Sequence, residues 1–77
     1  MYMKTLINKM QDITAEIVSN NNGVLELYIL DNKAYMVVLA DDYNKYLKDK
    51  LVKGAIIKIS LTKTNKVKRL IVLKEVL

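Results

Sequence analysis

Between Ile13 and Val76 the hydrophobic pattern has a period of two in five short runs and a helical period in only one stretch. That order constrains the fold more than any other feature of the chain. Ile13-Thr14-Ala15-Glu16-Ile17-Val18 alternates and places Ile13, Ala15 and Ile17 on one face. Ser19-Asn20-Asn21-Asn22-Gly23 follows, and its Asn-Gly step is the strongest turn signal here because it readily supplies positive φ. Val24 to Leu30 alternates again, with Leu25, Leu27 and Ile29 against Glu26 and Tyr28. After Asp31-Asn32-Lys33, Ala34 to Ala40 makes a third strand rich in β-branched and aromatic residues. It is apolar on both faces, which predicts that part of its outer face is covered.

The period changes at Asp41-Asp42, either of which is a good N-cap. Tyr43, Leu47 and Leu51 recur at helical spacing, and Gly54 falls where a left-handed C-terminal residue is expected. The spacing predicts a helix over about 42–52, with Tyr43, Leu47 and Leu51 inward and Tyr43 and Tyr46 as plug residues. Ala55 to Leu61 is a fourth strand, with Ile57, Ile59 and Leu61 on one face and Lys58 and Ser60 on the other. Thr62 to Lys66 is a turn and Val67 to Val76 a long fifth strand. Tyr2, Leu6 and Met10 form a weak helical stripe, so residues 1–11 read as a short helix or an irregular lead-in. Five short strands around one core, in about 65 residues, favour a closed or nearly closed barrel. A single helix between strands three and four makes this an all-β chain with one helix, a five-stranded OB-fold barrel. An SH3-like barrel lacks that helix, and a ferredoxin-like fold needs two.

Size and composition bound the function. Seventy-seven residues make one domain. A hydrophobic content of 52% is too high for a disordered chain. With neither Cys nor His, disulfides, thiolate metal sites and the usual zinc ligands are excluded, and no cofactor is expected. Two glycines, Gly23 and Gly54, cannot build a phosphate-cradling loop, and no Ser sits in a nucleophile elbow. The chain is expected not to be an enzyme. No apolar run approaches the ~18 to 20 residues of a membrane span. Met1 to Lys9 lacks the continuous apolar segment of a signal peptide. A soluble intracellular protein, in cytoplasm, nucleoid or nucleus, is the expectation.

Charge is unevenly placed. Residues 1–40 hold three Lys against four acids, whereas residues 41–77 hold ten Lys or Arg against four acids. The whole net charge of +5 therefore sits in the second half. Between Lys53 and Arg69 there are six cations (Lys53, Lys58, Lys63, Lys66, Lys68, Arg69) and no Asp or Glu. A basic hairpin on a near-neutral small domain points to a polyanionic partner, most simply nucleic acid. The plainer reading of the same lysines is a solvated face that keeps a small domain soluble.

The run Leu27-Tyr28-Ile29-Leu30-Asp31-Asn32-Lys33, then Met36-Val37-Val38-Leu39, Leu47 and Lys53-Gly54-Ala55-Ile56-Ile57-Lys58-Ile59, resembles OB domains of the replication protein A type. The tail from Lys66 to Leu77 is most similar to the close of the N-terminal OB domain of the large replication protein A subunit. The resemblance covers residues 13–77 and rests on hydrophobic spacing. It also extends to the small S1-like bacterial initiation factor, which binds RNA. This chain has no Trp or Phe, so the residues on which ssDNA-binding members stack bases have no direct counterpart.

OB-folds bind nucleic-acid strands across strands two and three, flanked by the turns joining strands one to two and four to five. On that frame the expected nucleic-acid-binding residues are Asn21, Tyr28, Lys33, Tyr35, Lys58, Lys63, Lys66, Lys68 and Arg69. A two-residue Asp31-Asn32 turn would set Tyr28 directly opposite Tyr35 on the outer face, whereas a three-residue turn would separate them. The first functional expectation is a non-catalytic binder of single-stranded DNA, with RNA as the alternative polymer. The second is an interaction module whose basic cleft captures acidic protein segments. Homo- or hetero-oligomer assembly through the third strand and Val67 to Leu77 belongs to the same class. The absence of Phe and Trp favours the second expectation, and a stand-alone OB domain favours the first.

Overall fold

A computed structural model describes residues 12–76. The expected helix or lead-in over residues 1–11 lies outside the described residues. Six elements follow in order: β1 (Ile13–Asn21), β2 (Val24–Ile29), β3 (Ala34–Leu39), α1 (Asp41–Leu47), β4 (Ile56–Leu61) and β5 (Val67–Lys74). The five strands form one antiparallel sheet in the order β3-β2-β1-β4-β5, so β1 is the hub, paired with both β2 and β4. The two edge strands touch at one point. Leu39 and Lys66 form a parallel bridge, and the Leu39 amide donates to the Asn65 carbonyl at 2.9 Å. The sheet is thus curled until its edges meet, but it is not closed by a ladder.

The alternating faces sort as the sequence predicts. Ala15, Ile17, Leu25, Leu27, Val38, Ile57 and Ile59 are buried and pack as one core. Cross-strand register stacks them, with Ile17 opposite Leu27, Leu25 opposite Val38, and Ile59 opposite Leu70. Leu51 and Ala55 complete the core from the connection between α1 and β4, and Tyr43 and Leu47 pack against it.

Three bulges break the ladders, at Val18, Lys68 and Leu73, and the first two set where the residues near the turns point. In β1 the register steps from Ile17 opposite Leu27 to Ser19 opposite Glu26, leaving Val18 as the extra residue. Parity changes at that step. Asn20 then turns inward opposite the buried Leu25, while Asn21 stays exposed. In β5 the register steps from Arg69 to Val67 around Lys68, so Val67 and Leu70, three apart, are both buried.

The helical stretch is shorter than its spacing predicts: α1 ends at Leu47, and residues 48–54 are a chain of turns. The first of these turns is closed by Leu51 N donating to Leu47 O at 3.0 Å. Gly54 does have positive φ, at 95°, but it serves the entry to β4 rather than the helix end. Its amide donates to the Ile17 carbonyl at 2.8 Å, and Ile17 N donates to Ala55 O at 2.8 Å. Anchoring to β1 claims this segment before the helix can reach residue 52.

The helix start also differs. Ala40 is the N-cap, with no side-chain cap, and Asp41 and Asp42 occupy the first turn. Ala40 is buried and its amide donates to the Gly23 carbonyl at 2.7 Å, which fixes the entry point one residue early. The aspartates then act through charge at the helix start rather than as caps.

Candidate nucleic-acid interface

The β2–β3 hairpin positions the aromatic pair. Its connection has four residues, Leu30 to Lys33, with Lys33 at φ 56° and its amide donating to the Ile29 carbonyl at 2.9 Å. Ala34 N donates to Asn32 Oδ1 at 3.2 Å. An even loop preserves the parity that a two-residue turn would give, so Tyr28 pairs directly with Tyr35. Their ring centroids are 5.1 Å apart and tilted by 55°. Pairs at that spacing contribute about 0.5–1.5 kcal/mol beyond area burial. Tyr28 is half-buried while Tyr35 is 65% exposed, which leaves ring surface on Tyr35 accessible.

Beside the pair, that outer face shows bare aliphatic residues. Val24 pairs with Leu39 and Glu26 with Val37, and Val24, Val37 and Leu39 are all exposed. The expected cover over the third strand is therefore missing among the described residues. Two carboxylates share the face: Glu16 lies opposite Tyr28 on β1, and Glu26 opposite Val37. Both were readable from strand parity.

The basic residues fall in four places. Lys33 stands at the Tyr35 end of the face, in the β2–β3 turn. Lys63 and Lys66 stand at its Leu39 end, because the Leu39–Lys66 bridge brings the β4–β5 turn there. Lys58 and Arg69 lie on the outer side of the β4–β5 hairpin, opposite Ile71 and Ser60, and across β1 from the tyrosines. Lys68, displaced by the bulge, lies against α1, where its carbonyl accepts from the Tyr43 hydroxyl at 3.2 Å. One hairpin thus disperses its charges in several directions.

Among the described residues, two ion pairs involve these lysines, Lys66–Asp42 at 3.7 Å and Lys58–Asp12 at 4.0 Å, and a third, Lys50–Glu75 at 3.0 Å, lies apart from them. All are solvent-exposed and worth roughly 0 to 1 kcal/mol each. Among the described residues, Lys33, Lys63, Lys68 and Arg69 have no carboxylate within ion-pair distance.

The β1–β2 turn is a primed two-residue hairpin turn in its signature, with Asn22 and Gly23 at φ 54° and 93°. A Cβ on Gly23 would stand 2.7 Å from the Asp41 Cα. Asn20, not Asn21, is the working amide. It donates to Asn44 Oδ1 at 2.8 Å and to Leu51 O at 2.7 Å, and accepts from Gly23 N at 2.9 Å. It latches the turn to α1 and the following turns. Beside it lies a cleft of about 440 Å³ with Ser19, Asn22, Asn44, Lys48 and Lys53 in its wall, touched by none of the expected site residues.

Two further placements depart from the sequence reading. Tyr46 is 83% exposed rather than a plug, because Leu47 takes the inward position next to it. Ser60 is buried although it shares a face with exposed Lys58, and its Oγ has no hydrogen-bond partner among the described residues. No cluster of acidic ligands able to hold a metal occurs among the described residues, nor does any helix long and apolar enough to cross a membrane. Comparison with models of known families, with curated proteins and with solved structures finds no match.

Proposed function

We propose that this chain is a non-catalytic OB-type domain that binds single-stranded nucleic acid, DNA in preference to RNA. The OB reading is supported by a five-stranded sheet whose edges meet only at Leu39 and Lys66, with one helix between β3 and β4. A partly open five-stranded barrel of this kind binds strands across β2 and β3. One observation carries the functional reading: the Tyr28–Tyr35 pair, with Tyr35 exposed, sits on that face, with lysine-bearing turns at both of its ends. Bases stack on Tyr35, and Tyr28 supports the ring from the neighbouring strand. Lys33 holds backbone at one end, and Lys63 and Lys66 hold it at the other, with the Asn21 amide beside Val24 at the same end. Lys contacts are backbone-directed and give little sequence preference. Preference for DNA rests on the family resemblance.

Titration of fluorescently labelled oligo-dT against salt tests this. Three lysine contacts to a single strand give a slope of about −2 in log K against log salt, so binding weakens steeply between ~50 and 200 mM. No binding at low salt overturns the proposal, and tighter binding of oligo-U than of oligo-dT would move the partner to RNA.

A second reading is favoured by Glu16 and Glu26, which repel phosphates, and by the exposed Val24, Val37 and Leu39 beside them. On that reading the β2–β3 face docks a protein surface and the basic turns orient an acidic partner. Mass by light scattering tests its self-assembly form independently.

A further inference from the structure

The α1–β5 groove is unused by the site described so far, yet it begins where the β2–β3 face ends. Leu39 closes that face and bridges to Lys66. Lys66 in turn pairs with Asp42 at 3.7 Å, in the first turn of α1. One helical turn on, Tyr46 stands 83% exposed beside a groove of about 280 Å³ lined by Asp42, Tyr43, Tyr46, Val67 and Lys68. Asp42 and Tyr46 are thus separated by a rise of only about 6 Å. Tyr43 is held by its hydroxyl bond to the Lys68 carbonyl, which fixes the groove's floor. The β5 bulge is what turns Lys68 out of strand alternation and leaves it beside the groove.

Building on the nucleic-acid reading, we infer that this groove is an extension subsite for the same strand. The backbone leaves the β2–β3 face at Leu39, passes Lys66, and enters the groove, where Tyr46 stacks a further base and Lys68 meets the next phosphate. Its chemistry matches that requirement: one aromatic face exposed to solvent, one apolar wall from Val67, and a cation without an ion-pair partner among the described residues. Asp42 is the one acid in the groove. It occupies Lys66 in the free protein as a phosphate oxygen would in the complex, so binding exchanges one exposed pair for another at little cost.

The test compares a short oligo-dT of about 4 nucleotides with a longer one of about 12, both within the roughly 4–16 nucleotides that single OB domains occupy. Tyr46→Ala should weaken the longer oligonucleotide about fivefold or more, leave the shorter one unchanged, and leave thermal unfolding unchanged because the side chain is exposed. Tyr46→Phe should restore the longer one, since stacking needs the ring and not the hydroxyl. Asp42→Asn should tighten the longer one a few-fold. Equal loss at both lengths, or no loss at either, overturns the extension. If Tyr35→Ala weakens both lengths while Tyr46→Ala weakens neither, only the extension falls. No binding of either oligonucleotide removes the nucleic-acid reading, and the extension with it.

Discussion

The two hairpins of this domain are opposites in their outward chemistry. The β2–β3 hairpin shows solvent an aromatic pair, four bare aliphatic residues (Val24, Leu30, Val37, Leu39) and the acids Glu26 and Asp31, with Lys33 as its lone cation. The β4–β5 hairpin and its approach carry six cations and no acid from Lys53 to Arg69, but no aromatic residue at all. Stacking surface and charge are thus built on different strands. The two hairpins touch where Leu39 bridges Lys66. The proposed nucleic-acid strand would need both, and that junction is where the curled sheet brings them together.

The largest effect tests whether the two hairpins are one cooperative body. Leu27→Ala beneath the aromatic hairpin and Ile59→Ala beneath the basic one should each cost about 2–5 kcal/mol, read as lowered urea midpoints. Both residues are fully buried in one cluster, so all probes should melt together. Separate transitions would make the hairpins independent units. Gly23→Ala comes next, costing about 2 kcal/mol or more. Its φ of 93° and the 2.7 Å approach of the Asp41 backbone leave a side chain no room.

In binding, the halves should separate by signature. Tyr35→Ala should lose ~1–3 kcal/mol of affinity for oligo-dT while the salt slope holds. Lys63→Ala should instead flatten that slope by about 0.7, the single-strand increment per phosphate contact. If both variants change the slope alike, charge and stacking do not divide between the hairpins. Glu26→Gln should strengthen binding by a few tenths of a kcal/mol, in the manner of an exposed charge. Smallest of all is Lys50→Ala, which removes the exposed Glu75 pair and should shift the melting temperature by no more than the ~1 kcal/mol ceiling of such pairs.

Much of the fold was legible because strand alternation is local. Leu25, Leu27 and Ile29, or Ile57 and Ile59, can be assigned inward without any knowledge of their neighbours. The tyrosine pairing was conditionally legible: parity required an even connection, and hydrogen bonds around Asn32 and Lys33 supply one of four residues. The latching role of Asn20 was not legible. It follows from the Val18 bulge, which a hydrophobic pattern does not mark. The scatter of the basic hairpin comes from the Lys68 bulge together with the Leu39–Lys66 bridge. Tyr46 and Leu47 are neighbours competing for one inward position, and only packing shows that Leu47 takes it; the helix end, likewise, is set by Gly54 and Ala55 bonding to Ile17.

The sequence by itself determined the element order, the inward residues, the cation-rich and acid-free second hairpin, and the exclusion of Cys and His chemistry. Each of these depends on composition or on spacing within a single strand or helix. Tertiary structure alone decided which charges share a surface with the tyrosines, that β3 is bare outside, and that the sheet's edges meet at Leu39 and Lys66. Those outcomes depend on bulges and on contacts between residues far apart in the chain. A one-residue shift in pairing reverses every side chain beyond it, and local pattern carries no record of that shift.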